Sequence, residues 1–395
     1  MSRIPWPDPL EALRRRLFLR QAHRLELPYR EGNALRLLED GAGILAGTRA
    51  LIQTARHQLC FEMYIWAEDA VGRDLALLLR EAHRRGVRIR GVVDGLGSWG
   101  GLGLLRELRA EGMDLRIYHP PSPFNSFRVW NRRNHRKLLV RDGEEALVSS
   151  ANWALEYATD WNPRGFSDLG LQVRGPVVGD LAEDFERSWG RVGGPPEPAA
   201  PVPVPEVPPG WEGGVPVQVV SSLRRAGPRA FARHARLLLT QAREELILLH
   251  AYFVPSREVL RRLVRAARRG VALTLVVPGH TDQPFVQAAG RHAYGRLLAA
   301  GVRIWERQQR MLHAKVAVVD RTWVSMGSAN LDIRSARHNL ELNLHLHSPV
   351  LAARIAALAE VEKAGSEPCD PARWRLRPWW RRWGQRLAWA FRSWL

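Results

Sequence analysis

Apolar and polar residues follow each other along the chain in a pattern that predicts helices alternating with strands. Residues 50–66, ALIQTARHQLCFEMYIW, predict a helix followed by a buried strand. Residues 75–95, LALLLREAHRRGVRIRGVVDG, predict a helix, a turn at Gly86 and a second strand. This alternation is typical of an α/β layered fold.

The same succession of elements returns in the second half of the chain. Residues 242–256, AREELILLHAYFVPS, predict a strand, and residues 260–279, LRRLVRAARRGVALTLVVPG, predict a helix, an Arg-Arg-Gly-Val turn and another strand. Because a whole series of elements is repeated, the pattern predicts two related halves.

A proline-rich segment separates the two halves. Residues 193–214, GGPPEPAAPVPVPEVPPGWEGG, contain eight prolines between Pro195 and Pro209, and proline at this density favours an extended spacer. A surface loop within one domain is the weaker alternative, because the repeats fall on either side of the segment. We therefore predict a linker here, between domains at residues 33–192 and 215–365.

Both ends of the chain are basic. Within residues 1–32, the apolar spacing over residues 8–27 predicts a basic amphipathic helix that either lies on a membrane or packs on the domain surface. Residues 366–395 form a second basic segment, in which positions 371–395 contain six tryptophans, seven arginines and no acidic residue. Tryptophan and arginine together favour an interfacial membrane anchor over a helix docked on the protein itself.

Composition narrows the range of partners. The net charge of +19 and the pI near 11.2 favour binding to a polyanion, either nucleic acid or an anionic membrane surface. Two cysteines are too few for a disulfide framework. The chain has neither an apolar run of about 18 to 20 residues nor a secretory signal. These features predict a soluble or peripheral protein at the cytoplasmic face of the membrane.

One short motif occurs in both halves. His313, Lys315 and Asp320 have the spacing H-x-K-x4-D, and the same residue types stand 178 positions upstream. Serine and asparagine downstream of the motif keep that offset too, so each half supplies the same set of polar groups. The further members of the two sets are His135, Lys137, Asp142, Ser150, Asn152, Ser328 and Asn330.

Lysine is almost absent elsewhere. Only three of the 59 basic Lys and Arg residues are lysines, and two of these, Lys137 and Lys315, belong to the repeated motif. An ammonium is a compact point charge and a guanidinium is a planar fork, so the two are not interchangeable at a tight site. The motif positions therefore require lysine for a chemical reason.

These residue types suit reactions at phosphate. Imidazole is both a nucleophile and a proton carrier near neutral pH. Lysine and asparagine donors can hold the non-bridging oxygens of a phosphodiester. Two histidines on opposite sides of one phosphate could divide the work of nucleophile and acid-base catalyst. Strand alternation places Asp320 on the face opposite His313, so we expect it to serve the fold or a turn.

The duplicated motif resembles that of the phospholipase D superfamily, and further stretches are similar to bacterial cardiolipin synthases. These stretches are NALRLLEDG, EMYIWAEDAVG, AYFVP, GVRIWE, LHAKVAVVD and GSANLDIRSARHNLELN, and the likeness runs from about Asn33 to about Leu358. The resemblance implies two homologous α-β-α sandwich domains related by a pseudo-twofold axis, with the active site at their interface. It implies no metal and no cofactor.

The resemblance also implies roles for the candidate residues. His135 would be the nucleophile and His313 the general acid and base, although these two labels are exchangeable. Asp168 and Glu341, which occupy corresponding positions, would orient the histidine rings. Ser149 replaces the glycine usual in the family, and Asp168 is shorter than Glu341, so we expect an asymmetric site. The candidate catalytic residues are His135, His313, Lys137, Lys315, Asp142, Asp320, Asp168 and Glu341, and the candidate phosphate-binding residues are Asn152, Asn330, Ser150 and Ser328.

The expected function is phosphatidyl transfer between two phosphatidylglycerol molecules, with release of glycerol and formation of cardiolipin. The anionic substrate agrees with the basic surface and the aromatic tail. Three alternatives stay open: hydrolysis of phospholipid by the same site, a nuclease of the same superfamily, and a protein without turnover that binds anionic membranes or DNA. Nucleic acid is the less favoured partner, because the tail is more typical of a membrane interface than of a base-stacking groove.

Overall fold

The computed structural model describes residues 28–224, 227 and 229–392, so the helix predicted over residues 8–27 lies outside the described residues. The strands, numbered in chain order, are β1 Arg30–Glu39, β2 Gln58–Met63, β3 Arg88–Asp94, β4 Asp114–Tyr118, β5 Leu138–Arg141, β6 Glu145–Ser149, β7 Leu169–Arg174, β8 Glu212–Ser221, β9 Glu245–His250, β10 Phe253–Val254, β11 Ala272–Pro278, β12 Arg303–Arg307, β13 Lys315–Val319, β14 Trp323–Gly327, β15 Leu331–Asp332, β16 Leu342–His347 and β17 Ser366–Pro368. The helices are α1 Asp40–Thr54, α2 Ala70–Arg84, α3 Leu102–Ala110, α4 Phe127–Asn131, α5 Val177–Arg191, α6 Arg229–Gln241, α7 Arg257–Arg268, α8 Pro284–Leu298, α9 Ile333–Arg337, α10 Pro349–Ala364, α11 Pro371–Leu376 and α12 Trp379–Ala390.

One mixed sheet of 15 strands runs through both halves of the chain. Its order is β17-β12-β11-β9-β13-β14-β16-β8-β1-β7-β6-β5-β2-β3-β4, and β1 pairs antiparallel with β8 at the junction of the halves. Read outwards from that junction, corresponding strands follow the same order in each half. The predicted α/β class is confirmed. The pseudo-twofold relation between two domains stays a prediction, with which this strand order agrees.

Helices cover both faces of the sheet. On one face, α5 and α10 pack on a core cluster that draws strands from both halves. On the other face, α1, α2 and α3 cover the first half, and α6, α7 and α8 cover the second. The result is a three-layer arrangement of helix, sheet and helix, whose shared core ties the halves together.

The predicted helix, turn and strand are formed alike in both halves. Asp69 caps α2 by accepting from the backbone nitrogen of Gly72 (2.9 Å), and Ser256 caps α7 by accepting from that of Val259 (3.2 Å). After each helix the chain reverses at a glycine with positive φ, 89° at Gly86 and 97° at Gly270. A glycine adopts this conformation without the steric cost that a side chain would bring.

The proline-rich segment is free of helix and strand from residue 195 to residue 208, as predicted. It is not a detached spacer, however. Glu197 forms an ion pair with Arg88 (2.7 Å), and Val202 packs against the core shared by the two halves. β8 also begins at Glu212, inside the predicted linker, because the strand pairs with β1 from that residue onwards.

The C-terminal segment is partly integrated into the fold. β17 pairs with the edge strand β12, so the sheet of the second half continues beyond residue 365. Trp374 lies against Tyr294 of α8, with ring centroids 5.1 Å apart, and Trp389 lies against His292 at 5.2 Å. One face of α12 is therefore docked on the protein itself.

The opposite face of α12 is apolar and exposed. Trp380, Trp383, Leu387 and Phe391 recur every three or four residues and form a stripe on one side of the helix. Among the described residues, no helix combines the length and the apolar character needed to cross a bilayer. An exposed stripe of this kind is typical of a helix that lies in a membrane interface.

Two tryptophans of α12 provide a matched pair for testing how the tail packs. Trp389 is 8% exposed and Trp383 is 63% exposed. We expect Trp389→Ala to lower the free energy of unfolding by about 3 kcal/mol, because it leaves a cavity against α8. Trp383→Ala should change it by less than about 1 kcal/mol. Urea unfolding measures both, and equal effects would contradict the observed docking.

Candidate active site

The two motif histidines stand just before β5 and β13, where segments from opposite halves meet. The backbone nitrogen of His135 donates to the carbonyl of Leu340 (2.9 Å), and that of His313 donates to the carbonyl of Ser167 (2.7 Å). Leu340 and Ser167 immediately precede Glu341 and Asp168. Each histidine is thus held beside the carboxylate of the other half.

The carboxylates are exchanged between the halves. Nδ1 of His135 lies 3.0 Å from Oε2 of Glu341, and Nδ1 of His313 lies 2.7 Å from Oδ2 of Asp168. A carboxylate at Nδ1 fixes the orientation of the ring and leaves Nε2 as the second reactive nitrogen. The structure therefore brings these four predicted residues together as two histidine-carboxylate pairs.

Hydroxyl and amide donors hold the carboxylates in place. Ser328 and Ser335 donate to Glu341 at 2.5 and 2.8 Å, and Asn339 donates at 3.2 Å. The hydroxyl of Ser150 donates to Asp168. Ser150 and Ser328, predicted as phosphate ligands, therefore contact the carboxylates directly. Ser335 and Asn339 were missed, because the repeat offset that marked Ser328 has no counterpart for them.

Both motif lysines are buried within the site. Nζ of Lys137 donates to the carbonyl of His135, and Nζ of Lys315 donates to that of His313, each at 2.6 Å. Burial and the positive charges of Lys137 and Lys315 hold the pKa of His135 well below its ordinary value. The charges of lysines from both motifs thus act on this one ring.

Burial controls the protonation of the site. It lowers the pKa of Lys315 to about 8, and burial together with the Lys315 charge lowers that of His313 to about 4. The two carboxyl groups differ. Burial raises the pKa of Glu341 to about 7. Burial acts in the same direction on Asp168, but the charge and hydrogen bond of His313 outweigh it and leave the pKa of that carboxyl below its ordinary value.

The two motif asparagines have matching environments. Oδ1 of Asn152 accepts from the backbone nitrogen of Ile65 (3.2 Å), and Oδ1 of Asn330 accepts from that of Tyr252 (3.4 Å). Since each oxygen accepts a bond, only the Nδ2 group can donate to a bound anion, and the side chain of Asn152 also forms a hydrogen bond with Tyr157. This is the role that the sequence predicts for both residues.

Aromatic rings line the site, and the sequence analysis did not identify them. Tyr64 lies against His135, with centroids 4.9 Å apart, and its ring also lies 5.0 Å from Nζ of Lys137. Tyr157 lies 5.0 Å from the His313 ring. The sequence feature that could have identified Tyr64 is its position in EMYIW, directly after a buried strand. These rings exclude water and strengthen the electrostatic interactions inside the site.

Asp142 and Asp320, predicted among the catalytic residues, lie away from the histidines. They follow the far ends of β5 and β13 from the histidines. Asp142 accepts from three successive backbone nitrogens, Arg56 to Gln58, at 2.8 to 3.0 Å, and Asp320 does so from residues 243–245 at 2.9 to 3.0 Å. Each aspartate caps the start of a neighbouring strand, as the strand alternation indicated for Asp320.

A buried charge network next to the site was also missed. Arg136, between His135 and Lys137, pairs with Asp184 (2.5 Å) and Glu62 (3.1 Å) on the other face of the chain. No feature of the sequence distinguishes this arginine from the many others. Within the described residues, no three histidine, cysteine, aspartate or glutamate side chains are grouped to hold a metal ion.

The third lysine offers a control for the electrostatics of the site. We expect Lys315→Met to move the pKa of His313 upward from about 4 towards its ordinary value, because a neighbouring positive charge is removed. Lys363→Met should leave that pKa unchanged, since Lys363 pairs with Glu360 and is not among the charges that shift the pKa of His313. Ring NMR titration, with the signal assigned through His313→Gln, measures both. An unchanged pKa in Lys315→Met would contradict the geometry described.

Comparison with known proteins places the chain in a family. The family model described as cardiolipin synthase, PLD-like domain, matches residues 48–189 and 236–361. Cardiolipin synthase B of Escherichia coli (strain K12) is 32% identical over 370 residues, which cover 90% of this chain and 87% of that protein. The cardiolipin synthase of Geobacillus kaustophilus is 32% identical over 355 residues, covering 86% and 70%.

A solved structure supports the same fold. Phosphatidylserine synthase of Haemophilus influenzae Rd KW20 superposes with a TM-score of 0.72 over 95% of this chain and 99% of that one, at 13% identity. Identity at this level shows the fold alone. The resemblance predicted from the repeated motif is confirmed by the family match and the curated relatives. The chain therefore belongs to the cardiolipin synthase family of the phospholipase D superfamily, a family of phosphatidyltransferases.

Proposed function

We propose that this protein makes cardiolipin by transferring a phosphatidyl group from one phosphatidylglycerol molecule to another, with release of glycerol. The observation that carries the proposal is the pair of buried histidines, each backed by a carboxylate of the other half and accompanied by a lysine. The names of the curated relatives agree with this product.

The reaction would proceed by two displacements at phosphorus. Nε2 of His135 attacks the phosphodiester and forms a nitrogen–phosphorus bond, while the bond to glycerol breaks and His313 gives its proton to the departing oxygen. His313 then removes the proton from a hydroxyl of the second phosphatidylglycerol. That oxygen attacks phosphorus, releases His135 and completes cardiolipin. Lys137 and Lys315 balance the charge on the phosphate oxygens throughout.

The different pKa values of the two carboxylates support these different roles for His135 and His313. Asp168 has a lowered pKa, so it stays ionised beside His313 and favours the imidazolium that an acid catalyst needs. Glu341 has a pKa of about 7 and is partly protonated at neutral pH, which favours a neutral, nucleophilic His135. A bound phosphate would add negative charge to the site and raise the pKa of His313 from its value in the free protein.

The surface of the protein supports an anionic lipid as substrate. A net charge of +19 draws the chain to a negatively charged bilayer, and the exposed stripe on α12 can enter its headgroup layer. We propose peripheral attachment at the cytoplasmic face of the cell membrane, where anionic phospholipids and the substrate are both present.

Product analysis tests the reaction. Incubation with phosphatidylglycerol vesicles should yield cardiolipin and glycerol. Replacing His313 by Ala should lower the rate by roughly 100-fold or more, the usual contribution of an acid-base group, and His135→Ala should abolish the transfer. Alkaline quenching and peptide mass spectrometry should find a phosphatidyl adduct on His135. His57→Ala, at an exposed histidine, is the control and should retain full turnover.

The products distinguish the alternatives to this proposal. Phosphatidic acid without cardiolipin would identify water as the acceptor and make the protein a hydrolase. Nicking of DNA without any lipid product would identify a nuclease. Full activity in both histidine variants would exclude the double-displacement mechanism.

From the exposed stripe on α12 we predict a contribution to membrane binding. Changing Trp380 and Trp383 together to Ser should weaken binding to phosphatidylglycerol vesicles by about tenfold or more, because two aromatic rings no longer enter the interface. Turnover of a dispersed short-chain substrate should not change. Vesicle flotation measures the binding.

The control for this experiment is a pair of exposed apolar residues on other helices. Leu77→Ser with Val361→Ser removes exposed apolar surface, from smaller side chains, on α2 and α10. Equal loss of binding in the two double variants would show that α12 has no special part in membrane attachment.

A further inference from the structure

The loop between β4 and α4 presents two phenylalanines to solvent. Phe124 is 95% exposed, and Phe127, the first residue of α4, is 62% exposed. The loop is folded on itself, because Nδ2 of Asn125 donates to the carbonyl of Pro120 (2.8 Å). A constrained loop that carries exposed aromatic rings at its tip differs from the scattered apolar residues normal on protein surfaces.

This loop leads directly into the active site. Nδ1 of His119 lies 3.1 Å from the carbonyl of Val129 and 3.0 Å from that of Arg132, which fastens α4 to the end of β4. Arg133 then pairs with buried Asp94, and His135 follows two residues later. The phenylalanines are thus joined to the proposed nucleophile through a short and firmly held segment.

Arginines of the second half surround the same segment. Nη1 of Arg334, in α9, donates to Oδ1 of Asn131 (3.0 Å), so α9 lies next to α4. Burial and the nearby charges of Arg334, Arg132 and Arg337 lower the pKa of His338. α9 also carries Ser335, which contacts Glu341 inside the site. A concentrated positive charge therefore borders the site beside the exposed loop.

The end of the C-terminal helix also combines positive charge with an exposed ring. Burial and the charges of Arg257 and Arg337 lower the pKa of Arg392. Phe391, just before Arg392, is exposed and belongs to the apolar stripe of α12. The loop, α4 and α9 thus form one band, in which exposed aromatic rings adjoin arginines.

We propose that this docking band, made of Phe124, Phe127, Arg132, Arg334 and Arg337, is a second membrane contact that seats the active site on an anionic phospholipid bilayer. The proposal rests on the proposed function, because the substrate it serves is a bilayer lipid. The rings enter the headgroup layer, and the arginines bind lipid phosphates around them. A substrate can then reach His135 without leaving the membrane surface.

The charge and the apolar surface together favour a bilayer as the partner. Arginines alone would suit nucleic acid equally well, since both partners are polyanions. Rings exposed at a loop tip gain from burial in the headgroup region, which duplex DNA does not offer. Nucleic acid is therefore an outcome of the experiment and not part of the proposal.

The test is vesicle flotation of the full chain carrying Phe124→Ser and Phe127→Ser. We expect binding to mixed phosphatidylglycerol and phosphatidylcholine vesicles to weaken by about tenfold or more, and the loss should persist at high salt because it is apolar. Turnover of dispersed short-chain phosphatidylglycerol should be retained. The control is again Leu77→Ser with Val361→Ser, two exposed apolar residues outside the docking band.

Arg337→Gln tests the charged part of the docking band. It should weaken binding to these anionic vesicles by about fivefold at low salt, with the loss disappearing at high salt and on phosphatidylcholine vesicles alone. Loss of duplex DNA binding without loss of vesicle binding would overturn the proposal in favour of nucleic acid.

Further outcomes distinguish a role of the docking band in membrane binding from a role in catalysis. Unchanged vesicle binding in the phenylalanine variant overturns the docking band, whatever the protein catalyses. Equal loss of turnover on vesicles and on dispersed substrate, with binding intact, would make the loop part of the catalytic structure and also overturn it. A wild-type protein that binds vesicles through these residues without converting lipid would overturn the proposed function alone.

Discussion

Each imidazole of the site depends on a carboxylate supplied by the other half of the chain. Glu341 orients His135 and Asp168 orients His313, and backbone hydrogen bonds from the same two histidines fix the segments that carry these carboxylates. Neither half can orient its own histidine in this arrangement. Pairing of β1 with β8 and the core beneath α5 and α10 are therefore required for chemistry as well as for stability.

Burying the charged lysines of the site costs free energy, which a bound anion can offset. Lys137 and Lys315 are fully enclosed, and burial lowers the pKa of both. An enclosed cation costs several kcal/mol unless an opposite charge compensates it. Asp168 and Glu341 provide part of that compensation, and a phosphodiester between the lysines would provide more. Two enclosed lysines therefore favour the binding of an anionic group.

The two halves are alike in sequence but unequal in electrostatics. Glu341 takes three side-chain donors and still has a raised pKa, because burial outweighs them. Asp168, one methylene shorter, lies closer to its histidine and stays ionised. Two carboxylates at corresponding positions thus differ in pKa because burial dominates at Glu341 and the interaction with His313 dominates at Asp168.

The sequence by itself determined the alternation of helix and strand, the duplication, and the histidines, lysines and asparagines that repeat between the halves, whereas the role of the carboxylates came from the family resemblance. These are readable because periodicity, glycine turns and a constant offset are local or repeated properties of the chain. Only the tertiary structure decided that Glu341 serves His135, that Asp142 and Asp320 cap strands, and that Tyr64 and Ser335 line the site. It also decided that one face of the tail packs on α8 while the other stays exposed. The physical reason is that such contacts join residues distant in sequence, and their geometry exists only once the two halves have formed one sheet.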